Sequence, residues 1–313
     1  MNRLVPADIR IALCETNPPL RTAFGNALYK MKLRNVELCK DAGSLMAYLN
    51  KEMVDLVICS TDLPGLNFAE TVQMIRGGHL GRNPFVLFLA TVHEATAREI
   101  RQIIEAGVDR VVRKPLSVGD MISYIESLSR KRRPFVATRF YFGPSRRAAP
   151  RRAGPMAVIE VPDTLQIKLS LGSDAVQLEV MIHETMAALR AQRALNGCFN
   201  LSRATETLAE RLAAEDEKLD LVQEGRLLGE LCREVQHFYA KAGHEHIVEL
   251  ADSLAALVGA LTRRSNPTSL IIALQLMQQI ADLLRKAAEI GPKLVPTIHE
   301  IAERIHVLAA KAA

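Results

Sequence analysis

From residue 9 to about residue 128, short apolar runs alternate with stretches whose apolar positions recur every three or four residues. The runs at 9–14, 36–39, 56–60, 85–90 and 110–112 have the length and composition of buried strands. Between them, Leu20, Phe24, Leu28 and Met31 keep helical spacing. So do Ile100, Ile103 and Ile104 before Ala106-Gly107, and Val118, Met121, Ile122, Ile125 and Leu128. Strands alternating with amphipathic helices predict an α/β doubly wound domain, a five-stranded parallel sheet covered on both faces. In such folds the informative residues stand just past the carboxyl end of each strand.

The periodicity stops after residue 128 and resumes differently. A short β segment is expected in "AVIEVPDTLQIKLSL", and from there the chain reads as helical. Helices are expected at 174–193, at 203–240 with a break near 215–218, at 244–261, at 268–289 and at 296–311. Ser202 is the expected N-cap of the second. Asn266-Pro267 and Gly291-Pro292 punctuate the series, and helices with short connectors predict an all-α bundle, with the apolar helix at 270–284 in its centre. The expected organisation is therefore a doubly wound domain over 1–128, a linker over 129–155 and a helical domain over 156–313.

Charge sharpens that division. The net charge of +5 is the sum of +1 over residues 1–128, +9 over 129–155 and −5 over 156–313. The middle segment holds nine Arg or Lys and no acid, the composition of a solvated arm. No run approaches the ~18 apolar residues of a membrane span, and the N-terminus lacks the apolar core of a secretion signal, so a cytoplasmic protein is expected. The five cysteines form no C-x-x-C pair, and Cys14, Cys39 and Cys59 fall inside strand-like runs as small hydrophobes.

Read past the strand ends, the chain presents Glu15-Thr16, Ser60, the window Ala90-Thr91-Val92, and Lys114-Pro115. With "ETNPPLR", "DLVICSTDLPG", "NPFVLFLAT" and "EAGVDRVVRKPLS" in this order and spacing, the first 128 residues resemble the flavodoxin-like receiver domain of two-component response regulators. The resemblance implies a phosphorelay signalling protein. It also implies that acids after the first strand and an aspartate after the third bind a divalent metal, and that this aspartate accepts a phosphoryl group. Here Ser60 stands at the acceptor position and Thr16 at the more direct metal-ligand position beside Glu15, so two of three expected carboxylates are hydroxyls. A hard Mg²⁺ ion prefers carboxylate oxygens, and a serine hydroxyl needs a base where an ionised carboxylate does not. The expectation is a degenerate pocket, a pseudo-receiver without metal. Lys114, the family's phosphate-contacting residue, is retained, and Asp62 is the nearest substitute acceptor. The family's switch hydroxyl falls at Leu89, Val92 or Thr91 according to the anchor used for counting.

The basic segment offers a second chemistry. Arg146, Arg147, Arg151 and Arg152 in "SRRAAPRR" are candidate phosphate or nucleotide ligands, because guanidinium forks bind phosphate bidentately. The R-x-x-x-R spacing of Arg147 and Arg151 resembles that of PilZ-type modules, which makes cyclic di-guanylate a candidate ligand, although the PilZ partner motif is not matched. Phe135, Phe140, Tyr141 and Phe142 suit either packing on the receiver or base stacking. No helix-turn-helix or RNA-binding signature accompanies them, and nucleic acid is not expected as a partner. In the helical half, "HFYAKAG" misses the H-x-x-K-G spacing of histidine phosphotransfer domains, and His237, His244, His246, His299 and His306 read as surface histidines. With no catalytic triad or phosphate loop, a non-enzymatic adaptor is expected, working on signalling proteins or on a second copy of itself.

Overall fold

In this computed structural model, the structure describes residues 8–130, 132–147, 157–171, 175–216, 218–241, 244–261 and 267–290. The chain divides into two compact units, Met1–Leu189 and Arg190–Ala313.

The first unit is built on β1 (Arg10–Cys14), α1 (Pro18–Lys30), β2 (Asn35–Cys39), α2 (Ala42–Lys51), β3 (Leu56–Ser60), α3 (Phe68–Gly77), β4 (Leu87–Val92), α4 (Ala97–Glu105), β5 (Arg110–Arg113) and α5 (Val118–Arg130). The strands form one parallel sheet in the order β2-β1-β3-β4-β5. β3 and β4 are buried along their whole length, as strands covered on both faces must be. Because strand side chains alternate, the sheet has two cores. Ile11, Leu13, Leu56, Ile58, Leu87 and Leu89 pack with Phe24, Leu28, Met121 and Ile125 of α1 and α5. Ala12, Cys14, Val57, Cys59, Phe88 and Ala90 pack with Leu45, Leu49, Val72, Ile75 and Ile103 of α2, α3 and α4. Cys39, Cys14 and Cys59 stand side by side on three neighbouring strands. Hydrogen bonding of the Cys14 thiol with Cys39 and Cys59, together with burial, holds its proton well above the ordinary thiol range. Local signals start the helices: Asn17 caps α1, and Asp41/Ser44 and Thr96/Glu99 form capping boxes on α2 and α4.

β4 begins two residues later than its apolar run suggests. Pro84 and Val86 turn their carbonyls to the guanidinium of Arg76, which donates to both at 2.7 and 2.8 Å. Arg76 is fully buried and also donates to the carbonyl of Gly107 and to Asp109 Oδ2, at 2.8 and 2.9 Å. Burial pulls its pKa down to about 10, with the charge of Asp109 opposing that fall.

Residues 129–155, expected as a linker, fold in their described part. β6 (Phe135–Ala137) and β7 (Phe142–Pro144) pair as an antiparallel hairpin. Phe135 is wholly buried, edge-on to Phe85 and flanked by the guanidiniums of Arg76 and Arg132 at 5.2 and 5.3 Å from its ring centre. Arg132 donates to the carbonyl of Phe85 at 2.6 Å and pairs with Asp109 at 3.4 Å. Gly107, at φ +106°, lets the hairpin approach: a Cβ there would lie 2.9 Å from the carbonyl oxygen of Phe142. A Cβ on Gly143 would lie 3.0 Å from Gly107 Cα, so the two backbones meet where neither carries a side chain.

The β segment expected after residue 156 is a helix. Only Ile159 makes a strand-like bridge, to Phe135, and α6 (Thr164–Leu171) follows. Asp163 caps it by accepting from Gln166 N–H at 2.9 Å. Leu165 enters the core under α1 and α5, and Lys168 donates to Asp55 Oδ2 at 2.8 Å with side-chain exposures of 5% and 0%. α7 (Ala175–Ala213) then sets Leu178, Ile182, Met186 and Leu189 against Met53, Phe85 and Phe135. The expected boundary at 128 therefore falls inside a folded unit that runs to Leu189, because these later residues cover the amino ends of β1, β3 and β4.

The second unit contains the rest of α7, α8 (Leu221–Lys241), α9 (Glu245–Leu261) and α10 (Pro267–Ile290). α7 continues through the gap expected between two helices. Ser202 is interior to it and donates to Asp282 at 3.1 Å instead of capping. The expected break near 215–218 lies between α7 and α8. Leu228, Cys232, Val235, Ile247, Leu250, Leu254, Met277 and Leu284 belong to the core. α9, not the expected apolar helix at 270–284, has packed neighbours on both sides among the described residues. The helix expected at 296–311 lies outside the described residues.

Candidate functional site

The carboxyl ends of β1, β3 and β5 bring Glu15, Ser60 and Lys114 together. The Lys114 ammonium donates to Glu15 Oε1 at 2.9 Å and to Ser60 Oγ at 2.7 Å. Ser60 in turn donates to Asp62 Oδ1 through a short hydrogen bond. Glu15 is nearly buried, and its Oε1 also accepts from the Asn17 N–H at 3.0 Å and the Thr16 hydroxyl at 3.4 Å. Arg21 fixes the backbone here by donating to the Glu15 carbonyl at 2.8 Å. Ser60 has no exposed surface, whereas Asp62 is exposed. Partial burial raises the Asp62 pKa, but the Ser60 hydrogen bond and the Lys114 charge outweigh it and hold the carboxylate below its ordinary value.

Of the three candidates for the switch position, Thr91 alone carries a hydroxyl, and it lies level with Ser60 on the neighbouring strand. It is buried, and its carbonyl accepts from Thr61 N–H at 3.0 Å. Leu89 and Val92 belong to opposite cores of the sheet. The six pocket residues expected from sequence, Glu15, Thr16, Ser60, Asp62, Thr91 and Lys114, therefore fall at one end of the sheet. Among the described residues, no group of three or more His, Cys, Asp or Glu is placed to hold a metal ion.

The arginine candidates separate. Arg146 donates to the carbonyls of Ile104, at 3.2 Å, and of Val108, so it ties the segment after β7 to the end of α4. Arg147 is exposed, and Arg151 and Arg152 lie outside the described residues. Of the aromatics, Phe135 packs inside and Tyr141 donates to the Pro144 carbonyl at 2.7 Å, while Phe140 is 83% exposed at the hairpin tip. Of the sequence candidates Arg146 lines a cavity of about 550 Å³ bounded by α4, β5, α5 and the segment flanking the hairpin, and sequence reasoning missed the four arginines that share it, Arg110, Arg113, Arg132 and Arg133. The available signal was the pair Arg110 and Arg113 bracketing Val111-Val112 on the edge strand.

Residues 11–126 match the family model of the response regulator receiver domain. Among solved structures, the chain is similar to HP1043, an orphan response regulator of H. pylori, with 21% identity over 38% of this chain and 94% of that one, at a TM-score of 0.34. It is similar to the non-phosphorylated HemR receiver domain from Leptospira biflexa, with 25% identity over 40% and 98% of the two chains and a TM-score of 0.36. It is also similar to the chemotaxis response regulator CheY4 of Vibrio cholerae, with 16% identity over 38% and 98% and a TM-score of 0.35. No curated protein matches.

Proposed function

We propose that this chain, a signal-transduction protein carrying a receiver domain at residues 11–126, is a non-enzymatic adaptor that signals by protein–protein contact and without phosphoryl transfer at Ser60. The observation that carries this reading is the Lys114 ammonium seated between Ser60 and Glu15 at 2.7 and 2.9 Å. A phosphoryl donor must reach the acceptor oxygen in line, and the Ser60 hydroxyl is buried and engaged twice. The donor set does not suit Mg²⁺ either. Two of its members are hydroxyls, and Glu15 Oε1 is already shared among an ammonium, an amide and a hydroxyl.

Its contacts are with other signalling proteins or with a second copy of the chain, through the receiver unit and the helical unit. A second reading has one observation in its favour: Asp62 is exposed, ionised and within the field of Lys114, as an aspartyl acceptor would be. Incubation of the full chain with acetyl phosphate and Mg²⁺, followed by intact-mass measurement, separates the two. The adaptor reading expects no phosphoryl adduct. An adduct that disappears in Asp62→Asn overturns it and establishes a phosphorylatable regulator using Asp62.

A further inference from the structure

The cavity between α4 and α5 has an unusual charge balance. Five guanidiniums line it, from Arg110, Arg113, Arg132, Arg133 and Arg146, against one carboxylate, Asp109. That carboxylate is already committed to Arg76 and Arg132. Arg146 is committed to backbone carbonyls, and Arg110 lies over the Tyr124 ring at 4.3 Å. Arg113 makes one long hydrogen bond, to the Ala95 carbonyl at 3.5 Å, and Arg133 has no hydrogen-bond or ion-pair partner among the described residues. Both are exposed. Cations gathered in a concavity repel one another, and an anion entering it relieves that repulsion.

Apart from Ser127, the rest of the lining is apolar: Leu87, Ile100, Ile104, Val108, Val111 and Leu128. A purely inorganic anion would gain nothing from that wall. A duplex or single strand of nucleic acid needs a long basic stripe, and a stable protein interface needs more than about 1,000 Å². A cavity of about 550 Å³ is instead of the size that takes one small organic molecule. Guanidiniums bind phosphate through paired N–H donors and stack on planar rings, so one lining serves both ends of the same ligand.

We infer that this cavity binds a nucleotide, with its phosphates held by Arg113 and Arg133 and its base against the apolar wall of Ile100, Ile104 and Leu128. The site uses none of the acceptor-pocket residues, so it stands whether or not Asp62 can be phosphorylated. A ligand here would bridge α4, α5 and the segment leading into the β6–β7 hairpin.

The test is a calorimetric titration of the full chain at physiological salt with ATP, GTP and cyclic di-guanylate as separate probes. Inorganic phosphate and a glutamate-rich peptide serve as comparison arms. Arg113→Ala and Arg133→Ala are the working variants, Ile104→Ser tests the apolar wall, and Arg34→Ala is the charge-matched control. The expected result is saturable binding of at least one nucleotide, weakened about tenfold or more by each cavity variant and unchanged in Arg34→Ala. No saturation by any nucleotide at millimolar concentration overturns the inference. So does binding indifferent to Arg113 and Arg133, phosphate binding as tight as nucleotide binding, or peptide binding that alone depends on the two arginines. Circular dichroism of each variant shows that a lost signal is not lost fold.

Discussion

Replacing Lys168 with methionine tests whether α6 belongs to the receiver unit. The ammonium donates to Asp55 Oδ2 at 2.8 Å and to the carbonyl of Asp8 at 3.1 Å, and both side chains of the pair are buried. Without it, Asp55 keeps one donor, the Arg10 N–H at 2.8 Å, while its Oδ1 has no hydrogen-bond partner in the native structure. Breaking a buried pair from one side costs about 3–5 kcal/mol because the other charge stays behind. The retained Arg10 bond places this case near the lower end, about 3 kcal/mol. Domains are stable by only ~5–15 kcal/mol, so such a loss is plainly measurable. Because the chain has two units, the readout must be local: urea dependence of hydrogen exchange in peptides covering β1 and β3. With a urea slope of about 1–3 kcal/mol/M, the protection midpoint should fall by about 1–3 M. The double variant Asp55→Asn/Lys168→Met removes both charges and should recover most of the loss. A single variant as stable as the parent, or a double variant no better than the single, would refute the reasoning and return residues 157–171 to the helical domain expected over 156–313.

Three further outcomes are expected. Lys114→Met strands the buried Glu15 carboxylate, which keeps its bonds from Asn17 and Thr16, and should cost about 3 kcal/mol, whereas Ser60→Ala should cost about 1 kcal/mol; urea titrations of both would show that the lysine matters structurally more than the serine. Asp163 is half-buried, and burial raises its pKa against the opposing Gln166 hydrogen bond and Arg132 charge, so the ionised form weighs on the folded state at neutral pH. Its folded value lies above its unfolded one, so stability falls as pH rises from the ordinary carboxylate value, about 3.9, through the raised one. Asp163→Asn, which keeps the cap, should therefore raise the melting temperature at pH 7 and lose that advantage near pH 3. Gly107→Ala forces a Cβ against the Phe142 carbonyl at a positive φ and should cost about 2 kcal/mol or more; faster trypsin cleavage after Arg132 and Arg139 would report the undocked hairpin.

The receiver topology was legible because period-two and period-3.6 patterns are local, and parallel strands buried on both faces announce themselves as apolar runs. The acceptor pocket was legible for the same reason. Glu15, Ser60 and Lys114 each follow a strand directly, and a doubly wound sheet brings strand ends together whatever lies between them. The fate of residues 129–189 was not legible. Phe135 is buried because Arg76, Arg132, Phe85 and the apolar residues of α7 surround it, and Lys168 is buried where Asp55, far back in the chain, accepts from it. Arginine-rich composition describes a solvated arm equally well until the tertiary structure supplies carbonyls and carboxylates for the guanidiniums to bind. Nor could spacing assign the switch hydroxyl or the Arg110–Arg113–Arg133 cavity, since both depend on register between strands and on which helices flank the edge. Sequence by itself determined the elements of the first 128 residues and the residues at their strand ends. Tertiary structure alone decided which charges are neutralised inside the fold and which are left open to a ligand, because that is a matter of distance across elements rather than of order along the chain.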